Sequence, residues 1–221
     1  MSTLNAPALS ALIDRLFSEA DPAENRPWPA TRGTDRSDYL KYYGLLKDQP
    51  LAVSRDTGTL LYMLARLIGA RSIVEFGTSF GISTLHLAAA LRDNGGGRLI
   101  GSEFEPSKIK RARENLAAGG LSDLVEIREG DAPQTLARDL PDTIDFVLLD
   151  GAKALYPPVL SLLEERLRDG ALIVADNADD SPEYLARVRS ANGGYLSVPF
   201  GEDVELSMRL KNAGNSTAPH G

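Results

Sequence analysis

Four carboxylates stand at or beside the ends of short apolar runs: Glu75 in "SIVEF", Glu103 after "RLIGS", Asp150 after "IDFVLL" and Asp176 after "ALIVA". In alternating strand-helix architectures, ligands bind at the carboxyl ends of the strands, so these are the positions where acids can do chemistry. The segment "VEFGTSFGIS", residues 74–83, reads as strand, glycine-rich turn and helix start. Gly77 and Gly81 permit a tight turn and close approach of backbone to a ligand, and the helix start offers free N–H groups. The spacing is neither the dinucleotide fingerprint G-x-G-x-x-G nor a Walker loop, since no lysine follows. Glu103 ends the next run, where a carboxylate can accept both hydroxyls of a ribose. Asp131, in "EGDAPQ", follows the third run and is placed to reach an adenine amino group.

The elements that must position these residues follow from periodicity. From residue 72 onward the apolar runs "SIVEF", "RLIGSE", "LVEIRE", "IDFVLLD" and "ALIVAD" alternate with helical spacings such as "PSKIKRARENLAAGG" and "YPPVLSLLEERLRDG". That alternation predicts an α/β fold with a mostly parallel sheet covered by helices on both faces. "GGYLSVPFGEDVELSMRL" predicts an antiparallel hairpin at one sheet edge. The first 70 residues predict a helical cover. In it, "SRDTGTLLYMLARLIGA" places Leu60, Leu61, Leu64, Leu67 and Ile68 on one face. Residues 21–35, with Trp28 between two prolines, read as a loop, and 211–221 as a loose polar tail.

One domain is expected from 221 residues: cover to residue 70, cofactor-binding core over 71–210, then the tail. A net charge of −7 disfavours nucleic acid and anionic lipid as partners, leaving a small molecule as the better expectation. The absence of cysteine excludes disulfides, thiol nucleophiles and iron–sulfur clusters. The N-terminus has an amphipathic pattern without a basic, apolar leader, and no apolar run is long enough to span a membrane. A cytoplasmic protein is the resulting expectation.

The ordered series "VEFGTSFGIS", "GSEFEP", "EGDAPQ", "LLDGAK" and "LIVADN" resembles the S-adenosylmethionine-dependent O-methyltransferases of the cation-dependent catechol and caffeoyl-CoA type, over roughly residues 45–210. The resemblance implies a Rossmann-like seven-stranded sheet, bound S-adenosylmethionine, and a divalent cation, usually magnesium. It assigns Glu75, Gly77, Ser79, Gly81 and Ser83 to the methionine side of the cofactor and Glu103 to its ribose. Asp131 and Ala132 fall to the adenine, with Val53 closing over the cofactor. Asp150, which also borders the cofactor, would ligate the metal with Asp176 and Asn177. Two carboxylates and an amide suit a hard cation, leaving positions for water and substrate oxygens, and argue against zinc. Lys153 would be the general base, its pKa lowered by burial and the nearby cation.

Lys153, Asn177 and Glu205 would meet the hydroxyl-bearing acceptor, a catechol-like or phenolic small molecule. Gly151 and Ala152, where bulkier residues are common in such proteins, predict a more open acceptor wall. His86 and His220 read as structural, and Asp179 and Asp180 as a solvated turn before a helix. The resemblance further implies pairing of two copies, with the N-terminal helices as contact surfaces. Three competing readings are weighed. A dehydrogenase fails on glycine spacing. A metal-independent methyltransferase would not need Asp150, Asp176 and Asn177. A non-catalytic S-adenosylmethionine-binding protein would have little reason to keep every ionic position.

Overall fold

The computed structural model describes residues 2–24 and 38–210. Trp28, most of the expected loop, His220 and the tail lie outside the described residues. The elements run α1 (Pro7–Glu24), α2 (Tyr39–Gly44), α3 (Arg55–Leu67), β1 (Ser72–Phe76), α4 (Ile82–Asp93), β2 (Arg98–Glu103), α5 (Pro106–Ala118), β3 (Val125–Glu129) and α6 (Ala132–Thr135). They continue with β4 (Ile144–Leu149), α7 (Tyr156–Leu163), β5 (Leu167–Ala175), α8 (Pro182–Val188), β6 (Tyr195–Phe200) and β7 (Val204–Arg209), with short 3-10 turns between.

The seven strands of the described residues join one sheet in the order β3-β2-β1-β4-β5-β7-β6. The first five strands in that order are parallel, and β7 and β6 form the expected antiparallel edge hairpin. Strand alternation sends residues to two cores. Ile73, Phe146, Leu148, Leu172 and Val174 pack with α1, α3 and α4, whereas Val74, Val147, Leu149, Ile173 and Ala175 pack with α7 and α8. Burial on both faces explains why these strands read as continuous apolar runs.

The chain builds β1, β2 and β3 to one side, then returns to place β4 on the other side of β1. The loops after β1 and β4 therefore diverge and open a crevice, the usual ligand position in such sheets. The crevice floor is tight. Asp150 N–H donates to the Phe76 carbonyl at 2.8 Å, and a Cβ on Gly77 (φ +96°) would stand 2.4 Å from the Asp150 carbonyl oxygen. Only glycine fits there.

Several sequence expectations are corrected. On α3, Thr57, Gly58, Leu61 and Ala65 are buried and Leu64 and Ile68 pack against the same core as expected, while Leu67 departs from the expected face and is 81% exposed. Small residues at 57, 58 and 65 let α3 lie close to α4, where a Cβ on Gly58 would meet the His86 ring at 2.9 Å. α1 runs on to Glu24, past the loop start expected at residue 21. The helix expected over 156–170 stops at Leu163, and residues 167–170 open β5 instead. The strand survives the left-handed Gly170 (φ +75°) through a register shift opposite Ile144 and Phe146, where Arg168 pairs with Asp145 at 2.6 Å. His86 is structural, as expected: Nδ1 hydrogen-bonds the Ile82 carbonyl and the ring packs edge-on to Phe17.

Candidate active site

The loop after β1 is held by main-chain bonds. Gly77 and Thr78 N–H both donate to the Ser102 carbonyl, at 3.1 and 3.3 Å, and Ser79 takes the left-handed conformation at φ 47°. That turn aims Ser79 N–H at Glu103, which accepts it at 2.9 Å, while the other Glu103 oxygen accepts from Phe104 and Glu105 N–H. Glu103 is thus fixed at the β2 end, 8% exposed, on the wall of a cleft it shares with Gly77, Ser79, Asp131, Ala132 and Asp150. Val53 is buried over a small adjoining recess lined by Ser79 and Ser83. Gly81 (φ +83°) starts α4, whose first turn has no side-chain cap.

Glu75 lies behind this wall. Fully buried, it accepts from the hydroxyls of Thr78, Ser83 and Thr84 at 3.2, 2.7 and 2.6 Å, so it braces the loop and the start of α4. Burial pushes its carboxyl up to about 7, against the pull of the three hydroxyls. Because the folded pKa exceeds the unfolded value, this group's contribution to stability is full below about 4.5 and is lost as pH rises through about 7. Glu75→Gln, which keeps the shape and one acceptor oxygen without the charge, the hydroxyl facing its amide nitrogen turning to accept, is therefore expected to gain stability over wild type as pH rises through that window. The gain should be on the order of a few kcal/mol by pH 8, read by denaturant unfolding across pH.

Asp131 carries the clearest unfilled demand. One carboxylate oxygen accepts from Tyr39 Oη at 2.8 Å, and the other is buried without a partner among the described residues. A buried unpaired acceptor in a cleft wall calls for a ligand donor, and an adenine amino group is one. Burial and Asp131 together raise the Tyr39 phenol to about 12, so it remains a donor. The fit to S-adenosylmethionine is therefore good: a carboxylate for the ribose, an orphaned acceptor for the base, and a glycine turn for the methionine end.

The second half of the site lies at the ends of β4 and β5. Lys153 Nζ donates to Asp150 Oδ1 at 3.3 Å, to Tyr156 Oη at 2.8 Å and to the Asp176 carbonyl at 3.0 Å. Tyr156, fully buried, donates to the same carbonyl at 2.7 Å. Burial raises both the Asp150 and Asp176 carboxyls, and the charge of Asp150 adds to the rise at Asp176. Two neighbouring carboxylates, buried at Asp176 and part-buried at Asp150, with Lys153 paired to Asp150, form an acidic pair that a cation could bridge. Asn177, at φ 47°, follows directly, with its Nδ2 donating to Asp203 at 2.8 Å. Among the described residues no group of three or more His, Cys, Asp and Glu forms a metal cage, so a cation here would rely on the amide as third protein donor. That donor set fits a hard, oxygen-seeking ion.

Asp150, Lys153 and Asn177 face a cavity of about 650 Å³ that shares Tyr39, Tyr43, Leu51, Asp150, Gly151 and Ala152 with the first cleft. Gly151 does not widen it, contrary to expectation: the Phe76 ring fills the space a Cβ would take, 2.3 Å from that position. Glu205 is also placed differently from its expected role. Its carboxylate, 1% exposed, is held by Arg189 at 2.8 and 2.6 Å and by the Ser197 hydroxyl at 2.6 Å, and it lines neither cavity. Asp179 and Asp180 are exposed in the turn before α8, whose N-cap is Ser181.

Sequence reasoning missed Tyr39, Tyr156 and Lys108. Lys108, 4% exposed in α5, lines the cofactor cleft with Nζ 3.4 Å from Ser79 Oγ and over the Phe80 ring, and burial lowers its pKa. Its position in an amphipathic pattern gave no sign of this. Tyr156 carried a weak signal, three residues after Lys153 on a helical turn.

Comparison with known proteins agrees with this geometry. Residues 74–178 match a family model described as "Methyltransferase domain". A catechol O-methyltransferase of Niastella koreensis is 37% identical over 131 residues, 58% of either chain. A catechol O-methyltransferase of Mycobacterium tuberculosis is 31% identical over 188 residues, covering 85% of this chain and 79% of the relative. Among solved structures, the O-methyltransferase TomG from Streptomyces achromogenes, in complex with SAM, superposes with a TM-score of 0.65 at 30% identity. That superposition covers 80% of this chain and 89% of TomG. With the strand order, the cleft between β1 and β4 and these matches together, the chain belongs to the S-adenosylmethionine-dependent O-methyltransferases.

Proposed function

We propose that the protein methylates one hydroxyl of a small vicinal-diol acceptor, catechol-like or phenolic, and uses a divalent cation to do so. The observation that carries this reading is the position of Asp150. It stands on the wall common to both cavities, with Lys153 against its carboxylate and Asp176 beside it. The name catechol O-methyltransferase borne by two relatives supports a vicinal diol.

In this reading Glu103 accepts the ribose hydroxyls, the free oxygen of Asp131 accepts from the adenine amino group, and the turn from Gly77 to Gly81 seats the methionine end. Asp150, Asp176 and Asn177 Oδ1 would hold the cation, with magnesium the ion best suited to all-oxygen donors. When bound, it would supply positive charge that favours an ionised hydroxyl. Lys153 Nζ then takes the hydroxyl proton. The resulting ammonium is received by Asp150 Oδ1, Tyr156 Oη and the Asp176 carbonyl, the three oxygens it already bonds. The acceptor oxygen attacks the methyl carbon in line, and the sulfur departs with the bonding pair. The same lysine contacts favour a second reading, in which Lys153 and the two carboxylates act without metal.

The acceptor class is tested by measuring S-adenosylhomocysteine release with catechol, its single-hydroxyl counterpart phenol, and substituted catechols. Turnover is expected with vicinal hydroxyls and not with phenol. Equal turnover on both would overturn the vicinal-diol reading.

A further inference from the structure

Asn177 is useful to a cation only through Oδ1, since its Nδ2 is a donor. An asparagine side chain can present either atom, so something must choose. The tip of the β6–β7 hairpin does. Asp203 lies between Gly201 and β7, and its carboxylate accepts from Asn177 Nδ2 at 2.8 Å while its main-chain carbonyl accepts from Ala178 N–H at 2.7 Å. A carboxylate can only accept, so its partner must be the amide nitrogen, and Oδ1 is turned the other way. The neighbouring backbone is held as firmly. Asp176 N–H donates to the Leu149 carbonyl at 2.9 Å, and its own carbonyl receives Lys153 and Tyr156. Asn177 therefore sits between two clamped residues in a left-handed conformation, with its carboxamide as the remaining freedom.

We propose that Asp203 is a positioning residue that fixes the Asn177 carboxamide with Oδ1 toward the Asp150–Asp176 pair, making the edge hairpin part of the cation site. This rests on the proposed cation-dependent reading. Asp203 is exposed, so its charge is screened and its directional hydrogen bond is the stronger influence. Partners of this kind affect metal affinity by about 10- to 100-fold when removed.

The test is Mn2+ binding to the otherwise ligand-free protein, followed by electron paramagnetic resonance, for wild type, Asp203→Ala and Asp203→Asn, with unfolding midpoints measured alongside. Asp203→Ala is expected to weaken Mn2+ binding about tenfold or more. Asp203→Asn keeps an acceptor oxygen for Nδ2 without the charge, and should recover most of that loss. Equal weakening in both variants would assign the effect to charge and overturn the positioning role, as would wild-type affinity in Asp203→Ala. A wild type that binds no Mn2+ would instead overturn the cation site itself, and the inference with it.

Discussion

Lys153→Met is expected to lower kcat by about 10²- to 10⁴-fold, the usual contribution of a positioned general base. Cofactor affinity should hold, because Lys153 lines the acceptor cavity and not the cofactor cleft. The fold should tolerate the change. Tyr156 still donates to the Asp176 carbonyl, so no buried main-chain acceptor is left bare, and the methionine stem replaces the lysine's packing. Lys153→Arg separates two possible roles. A guanidinium keeps the charge and the donors but cannot shed a proton in the working range. If Lys153 is the base, arginine should be as inactive as methionine, and activity of the methionine variant should return at high pH as free hydroxyls ionise. If Lys153 only supplies positive charge, arginine should keep most of the rate. Single-turnover rates across pH decide between them.

Asp176→Asn is expected to abolish cation-dependent turnover while making the ligand-free protein more stable. The two effects share one cause. Asp176 is 8% exposed beside Asp150, and burial and repulsion raise its carboxyl. A group whose folded pKa is raised contributes stability at low pH that disappears as pH rises, so keeping this acid in its buried place is a standing cost at neutral pH, well above the unfolded value. Replacing it with an amide that cannot ionise relieves that cost, by on the order of 1 kcal/mol or more. The same substitution takes away half of the anionic charge that would hold a divalent ion. Raised melting temperature with lost activity is the signature of a site that trades stability for function. A variant equally stable and fully active would mean that the carboxylate pair is incidental.

Much of the site was legible because strand ends are easy to find. Glu103, Asp131, Asp150 and Asp176 each follow an apolar run, and a parallel sheet brings such positions to one edge wherever its strands fall. What the residues alone did not fix was which strands are neighbours, and therefore that Gly77 and Asp150 touch. Side-chain partners across long sequence separations were illegible for the same reason. Tyr39 reaches Asp131 from ninety-two positions away, and nothing in "SDYLKYYG" marks that hydroxyl. For Glu205, strand alternation gave a face but not its partner. Arg189 claims the carboxylate from the end of α8 and withdraws it from the acceptor cavity. The error at the start of β5 has a different origin. Residues 164–170 are charged and glycine-terminated, a pattern that suits a helix end, yet a strand with a left-handed glycine opposite a register shift accommodates it equally well. Gly151 misled because a missing side chain was read as open space, when Phe76 had taken it.

The central claim, that Asp150, Asp176 and Asn177 hold a cation on which methyl transfer depends, is tested most directly by one assay. Wild-type protein would be stripped with a chelator, and transfer of the methyl group to catechol followed before and after magnesium is restored. The account predicts that activity disappears on chelation and returns with added magnesium in a saturable manner. Activity unchanged by the chelator would contradict it, and would favour the reading in which Lys153 and the carboxylates act alone.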